Sequence, residues 1–182
     1  MGTIKTTNIE SISGSGTVTM GTSGETFTVP SGVTATGFNN PAFEADLSGD
    51  QSITSGANTK VTFDAELYDS NSAYDNSSNY RFTPQVAGKY WCYATVRADG
   101  TASTVNYMIL SFYKNGSVYP DSNRPFWRFL NNPIDDFTGT LGFTIDLNGS
   151  SDYVEVFTEI ELSSGNPTLK SGSSFGAFRV GT

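Results

Sequence analysis

The sequence contains no histidine and a single cysteine, Cys92, among its 182 residues. Without an imidazole, the chain has no Ser-His-Asp triad, no Cys-His nucleophile and no zinc site of the HExxH type. One cysteine permits no disulfide within the chain and, without partner ligands, no conventional zinc site. The most common enzyme mechanisms are therefore excluded, and stability has to come from packing.

Positive charge is also scarce, with 10 Lys and Arg against 18 Asp and Glu, a net charge of -8. A chain of this sign is repelled by a phosphate backbone. The start, MGTIKTTNIE, lacks the basic and apolar regions of a secretory signal, and the most apolar stretch, around Met108, is far too short to span a bilayer. The sequence predicts no nucleic-acid partner and no membrane insertion.

What is abundant is Ser, Thr, Asn and Gly, together with 13% aromatic residues. No long stretch places apolar residues at the spacing of an amphipathic helix. The aromatic residues and the alternating patterns also argue against disorder, although only 15% of residues are charged. These features predict an all-β protein.

Residues 1–40 differ from the rest, because they hold few charges and few aromatic rings. A unit of eight residues occurs three times, as SGTVTMGT, SGETFTVP and SGVTATGF. Each unit is a Ser-Gly turn followed by a short alternating strand, and the segment has too little apolar area to fold alone. We predict a β stalk or anchor built from several chains, with a disordered linker as the alternative. Its packing residues are Val18, Met20, Phe27, Val29 and Val33.

Residues 41–182 have the pattern of a compact β domain. The segment TKVTFDAELYD predicts one half-buried strand over residues 59–69. The strand from Tyr90 to Arg97 is bulky on both faces, so we predict that one face packs in the core and the other against a neighbouring subunit. The residues assigned to this packing are Tyr90, Trp91, Cys92 and Tyr93. About eight strands joined by irregular loops predict a sandwich or jelly roll.

Six stretches of this second segment carry a resemblance to a known family. They are PAFEADL, TKVTFDAELYDSNSAYD, RFTPQVAGKYWCYATV, LSFYKNGS, FTIDLNGSSDYVEVFTEI and SSFGAFRV. In this order they resemble the globular head of complement subcomponent C1q and its tumour-necrosis-factor-like (TNF-like) relatives. The resemblance covers residues 41–182 and implies a jelly-roll head that assembles as a tight homotrimer, usually at the end of a fibrous stalk.

Animal members of this family carry a secretory signal and a collagen stalk, and this sequence has neither. The start MGTIKTTNIESISGSG, the Ser-Gly-Thr repeat and the directly fused PAFEA instead resemble small appendage proteins of tailed bacteriophages. This resemblance implies a virion protein that is assembled in the host cytoplasm and contacts other virion proteins through residues 1–40. A short tail fibre and a capsid decoration protein both remain open.

Aromatic and basic residues in the loops indicate where the head binds a ligand. Flat rings and planar donors suit the faces and hydroxyl groups of sugars. The candidate ligand-binding residues are Tyr119, Arg124, Phe126, Trp127 and Arg128. Core or subunit-interface packing is the alternative for Phe126 and Trp127. We expect a host cell-surface glycan as the ligand.

Two sets of acidic residues were candidates for chemistry. Asp135 and Asp136 lie in a predicted loop and are candidate calcium ligands, with ordinary turn aspartates as the alternative. The strand DYVEVFTEIE sends Glu155, Glu159 and Glu161 to one face, as a glycosidase pair would require, but alternation alone produces this spacing. We predict no catalytic residue and no required cofactor, with calcium left open.

These observations together predict a non-enzymatic homotrimer with a β stalk over residues 1–40 and a C1q-like head over residues 41–182. The predicted function is that of a phage virion appendage whose head binds a host glycan. The alternative is a cellular C1q-like module that binds a carbohydrate or another ligand and is not associated with virions.

Overall fold

The computed structural model describes residues 40–100, 103–120, 124–129 and 134–181, which belong to one compact unit from Asn39 to Thr182. Within these ranges all regular structure is β, and they contain no helix able to cross a membrane. The predicted stalk residues Val18, Met20, Phe27, Val29 and Val33 lie outside the described residues. The stalk therefore stays a prediction.

Fourteen strands lie within the described ranges, more than the eight or so predicted, because several have only two residues and leave no pattern in the sequence. In chain order they are β1 (Ala42–Asp46), β2 (Gln51–Ser52), β3 (Thr59–Lys60), β4 (Ala65–Asp69), β5 (Tyr74–Asp75), β6 (Arg81–Phe82), β7 (Gly88–Asp99), β8 (Val105–Lys114), β9 (Ser117–Tyr119), β10 (Phe126–Arg128), β11 (Asp136–Leu147), β12 (Val154–Leu162), β13 (Thr168–Leu169) and β14 (Ser174–Gly181).

The strands form two antiparallel sheets. Sheet A has the order β2-β13-β7-β14-β1-β4, with β11 also paired to β7. Sheet B has the order β10-β8-β12-β6-β5, with β9 also paired to β8 and β3 to β12. Strands distant in sequence are thus neighbours in both sheets, which is the arrangement of a jelly roll rather than of a simple meander. The all-β, jelly-roll prediction is confirmed.

The core between the sheets is centred on Phe43. The centroid of its ring lies 4.5 Å from that of Tyr74, 4.6 Å from that of Phe82 and 4.9 Å from that of Phe175. Cys92 is fully buried in the same core, where burial raises the pKa of its thiol. Other fully buried large side chains are Tyr90, Phe63, Phe112, Met108, Leu110, Ile145, Leu147, Ile160 and Leu169.

The single strand predicted over residues 59–69 is wrong. Strand β3 pairs with β12 in sheet B, whereas β4 pairs with β1 in sheet A, so the chain crosses between the sheets within this segment. Val61 and Phe63 are buried in the crossing, as their side of the pattern predicted, but Leu67 is 60% exposed. An alternating pattern cannot distinguish one long strand from two short strands that belong to different sheets.

Candidate functional site

A groove lies on the outer face of sheet B, and we call it the β10 groove. Arg128 of β10 is paired with Tyr107 of β8, which is paired with Glu161 of β12, so the three residues form one row across three strands. Tyr107 points away from the core because its neighbour Met108 is buried. The groove has a volume of about 440 Å³ and is lined by Asn106, Tyr107, Phe126, Arg128, Phe129 and Glu161.

Two aromatic rings form the apolar part of the groove. Phe126 is 55% exposed, so much of its ring faces solvent. The centroid of its ring lies 5.5 Å from that of Tyr107. The hydroxyl of Tyr107 donates a hydrogen bond of 2.6 Å to Oε1 of Glu159. This bond is the main cause that raises the pKa of Tyr107, and burial of the hydroxyl is the second. One ring is therefore anchored, and the other is available to a ligand.

The groove also holds a cation that has no partner among the described residues. Among the described residues, Arg124 and Arg128 are the two cations for which the structure gives no ion pair, hydrogen bond or cation-π contact. The other described cations are engaged: Lys60, Lys89, Arg97, Lys114 and Lys170 in ion pairs, Arg81 over the Tyr153 ring and Arg179 with the carbonyl of Ala87. Arg128 is thus free to bind an acceptor.

The candidate ligand-binding residues predicted from the sequence do not all lie in the β10 groove. Phe126 and Arg128 line the groove, and Arg124 is exposed two residues before Phe126. Trp127 points to the opposite side of β10, where its ring packs 5.5 Å from Phe137. Tyr119 is also partly buried against the core. Trp127 therefore fits the packing alternative rather than ligand binding.

Sequence reasoning did not find the other half of the groove. Asn106, Tyr107, Phe129 and Glu161 line it together with the two predicted residues. The alternation of β12 did assign Glu159 and Glu161 to an outward face. However, their proximity to Phe126 and Arg128 depends on β8 lying between β10 and β12, and strand order is not visible in the sequence.

The structure gives the two candidate calcium ligands other partners. Both carboxylate oxygens of Asp136 accept hydrogen bonds from the guanidinium of Arg97, and these bonds lower the pKa of Asp136. The carbonyl oxygen of Asp135 accepts a 2.6 Å hydrogen bond from the amide of Gly100. Over the described part of the chain, no three metal-ligating side chains of the His, Cys, Asp or Glu type come together. A calcium ion at Asp136 would have to displace Arg97.

The glutamates considered as a glycosidase pair are also engaged. Glu155 is almost fully buried and forms an ion pair with Lys60, whose ammonium group also lies 5.7 Å from the ring centroid of Phe157. Glu159 accepts the hydrogen bond from Tyr107. Glu155 and Glu159 therefore each have a partner in the described part of the chain, and Glu161 lines the groove.

The outer face of sheet A has a different character, and we call its ring-rich part the aromatic face (Trp91, Tyr93 and Phe178). A Cβ atom at Gly142 would lie 2.6 Å from Cζ2 of Trp91, and one at Gly176 would lie 2.4 Å from the Tyr93 ring. The two rings therefore lie close against the backbone at these glycines. Phe178 pairs with Trp91 in register and is 44% exposed. Of the predicted packing residues, Tyr90 and Cys92 lie in the core, and Trp91 and Tyr93 lie on this face.

Comparison with solved structures supports the class of fold. The globular domain of zebrafish complement 1qA aligns with a TM-score of 0.54 and 17% identity, over 78% of this chain and 98% of that one. Murine APRIL at pH 8.0 aligns with a TM-score of 0.52 and 12% identity, over 78% of this chain and 100% of that one. No family model and no curated protein matches the sequence. The described unit thus has the C1q/TNF-like jelly-roll fold.

Proposed function

We propose that this protein is a non-enzymatic, trimeric binding protein of a phage virion whose head recognises a host surface glycan through the β10 groove. The observation that carries the binding role is the exposed Phe126 ring beside the unpartnered guanidinium of Arg128. An aromatic ring and a planar donor in one groove are the two contacts that a sugar face and its hydroxyl groups require.

The aromatic face supports the trimer. Trp91 and Phe178 are large apolar side chains that remain 38% and 44% exposed in a single chain. The rings of Trp91 and Tyr93 lie close against the backbone at Gly142 and Gly176, and exposed aromatic rings of this kind suit packing against another copy. A second copy is the occupant to which the resemblance to trimeric C1q-like heads also points.

The expectation that the protein does not hydrolyse glycans is supported by the partners of its acidic residues. Glu155 is held by Lys60, and Glu159 is held by Tyr107. A glycosidase needs one carboxylic acid and one carboxylate on opposite sides of the scissile bond. We expect no release of reducing sugar from any glycan that the head binds.

The virion role is supported by the sequence of residues 1–40, which would join the head to other virion proteins. Gold-antibody electron microscopy of particles from the source that encodes this chain tests it. Label at the tail means a short tail fibre, and label over the capsid means a decoration protein. No label on any particle overturns the virion role and leaves the cellular C1q-like binding module.

A further inference from the structure

The two unpartnered arginines of the described chain lie close together in sequence and flank the exposed ring of the groove. Arg124, Phe126 and Arg128 are all exposed, and the residues between them are only partly exposed. A guanidinium presents its donors in a rigid planar fork that matches a carboxylate with two parallel hydrogen bonds. In a chain with a net charge of -8, two unpaired arginines beside an open groove mark a local site for an anion.

The opposite side of the same groove presents an acceptor. Glu161 lies one strand beyond Tyr107 from Arg128, so the two charged residues are separated by two strand spacings, or about 10 Å between their Cα atoms. The structure gives no ion pair between them. The groove therefore offers donors at Arg128, acceptors at Glu161 and an aromatic surface between them.

From this arrangement we infer that the β10 groove binds an acidic saccharide, with a sugar carboxylate on Arg128 and neutral hydroxyl groups on Glu161. The sugar ring packs on Phe126. This inference rests on the proposed function and specifies the class of glycan. Arg124 adds a second, longer-range attraction for the same carboxylate.

The charges of the groove favour a carboxylate over a phosphate. Glu159 and Glu161 lie on the same face as Arg128, so a second negative charge on the ligand doubles the repulsion from these glutamates as well as the attraction to the arginine. The cost of removing the ligand from water rises with the square of its charge, so a dianionic phosphate gains less overall than a carboxylate. The hydroxyl of Tyr107 donates its hydrogen bond to Glu159 and also lies close to Glu161, so Glu161 keeps oxygen lone pairs that can accept hydrogen bonds from the ligand. Sugar phosphates are therefore expected to bind more weakly than uronic or sialic acids.

The test uses the full-length chain on an array of saccharide pairs that differ only in charge. Each acidic member, such as oligogalacturonate, oligomannuronate or sialyllactose, is printed beside its methyl ester and beside a sugar phosphate of the same length. We expect at least one acid to bind ten or more times tighter than its ester. Raising the salt concentration should weaken binding of the acid and leave binding of the ester unchanged.

Single substitutions test which residues of the groove contact the sugar carboxylate and the hydroxyl groups. Arg128→Ala should remove the preference for the acid over its ester, and Arg128→Lys should restore only part of it, because an ammonium group cannot form the paired hydrogen bonds. Glu161→Gln should weaken binding of the ester more than binding of the acid, because both lose an acceptor for their hydroxyl groups and only the acid is relieved of the repulsion by Glu161. Lys89→Ala, on sheet A, changes the net charge equally and should leave the preference intact.

The outcomes separate this inference from the proposed function. If acids and esters bind equally, or if sugar phosphates bind best, the carboxylate inference is wrong and the glycan-binding role stands. If Arg128→Ala keeps the full preference, the carboxylate lies elsewhere and the inference is also wrong. If no saccharide on the array binds, both the inference and the glycan-binding role fail, whereas the virion role still depends on the labelling experiment.

Discussion

The outer faces of sheet A and sheet B both carry aromatic rings, but the surroundings of these rings differ. On sheet A the rings of Trp91 and Tyr93 lie close against Gly142 and Gly176 beside the exposed Phe178, and the Tyr93 hydroxyl lies near Glu44 and Tyr68. On sheet B the rings lie among charged groups that line or border the groove, since Tyr107 is bonded to Glu159 and Phe157 lies under Lys60. A patch of large exposed rings is suited to burial against another copy. A surface that combines rings with oriented donors and acceptors is suited to selecting a ligand.

The largest effect is expected from a substitution that dissociates the trimer and does not alter the β10 groove. Phe178→Glu places a charge on the aromatic face, and burying an unpaired charge in a subunit interface is strongly unfavourable. Light scattering after gel filtration should give about three times 19.5 kDa for the natural chain and a single 19.5 kDa chain for the variant.

The matched control for this variant lies on the other sheet. Phe126→Ser removes the exposed ring of the groove and should leave the trimer mass unchanged, while saccharide binding is lost. If Phe126→Ser dissociates the protein, Phe126 belongs to the subunit interface, and the division between the two faces is wrong. A natural chain that is monomeric under native conditions would contradict the trimer.

A smaller effect is expected from changing the glycine beneath a ring. A Cβ atom at Gly176 would lie 2.4 Å from the Tyr93 ring and 3.0 Å from the carbonyl oxygen of Phe43, so Gly176→Ala must push the ring off the sheet. We expect a loss of about 1–3 kcal/mol in the free energy of unfolding. The measurement is denaturant unfolding at equilibrium.

Gly49→Ala is the control for this change, because no atom lies within 4 Å of a Cβ built there. It should leave the free energy of unfolding nearly unchanged. Equal stability of the Gly176→Ala and Gly49→Ala variants would mean that the Tyr93 ring is not held against the sheet.

The smallest effect concerns the ion pair at one end of sheet A. Hydrogen bonds from Arg97 lower the pKa of Asp136 in the folded chain, so the stabilisation is present above the ordinary carboxyl pKa of 3.8 and is lost as the pH falls below it. Asp136→Asn should lower Tm by about 1–3 °C at pH 7, as for a surface pair. The difference between variant and natural chain should shrink as the pH falls below 3.8 and vanish once it is below the lowered pKa of Asp136 in the folded chain. A difference that persists there would assign the effect to packing instead of charge.

Alternation along single strands could be predicted from the sequence, and the assembly of strands into sheets could not. The two faces of β12 and the two faces of β7 follow directly from residues such as Val156 and Trp91. The sequence left ligand binding and packing both open for Trp127, because β10 is too short to show which side faces the core. Glu161 became part of the site only through the strand order β10-β8-β12, which is decided by tertiary packing.

The most direct test of the division between the two faces is hydroxyl-radical footprinting of the full-length chain, with and without the saccharide that binds best. We expect Trp91 and Phe178 to be protected in both states. In the Phe178→Glu variant, Trp91 should become reactive. Phe126 should be reactive without saccharide and protected with it. Protection of Phe126 before saccharide is added, or free oxidation of Trp91 and Phe178 in the natural assembly, would contradict the account.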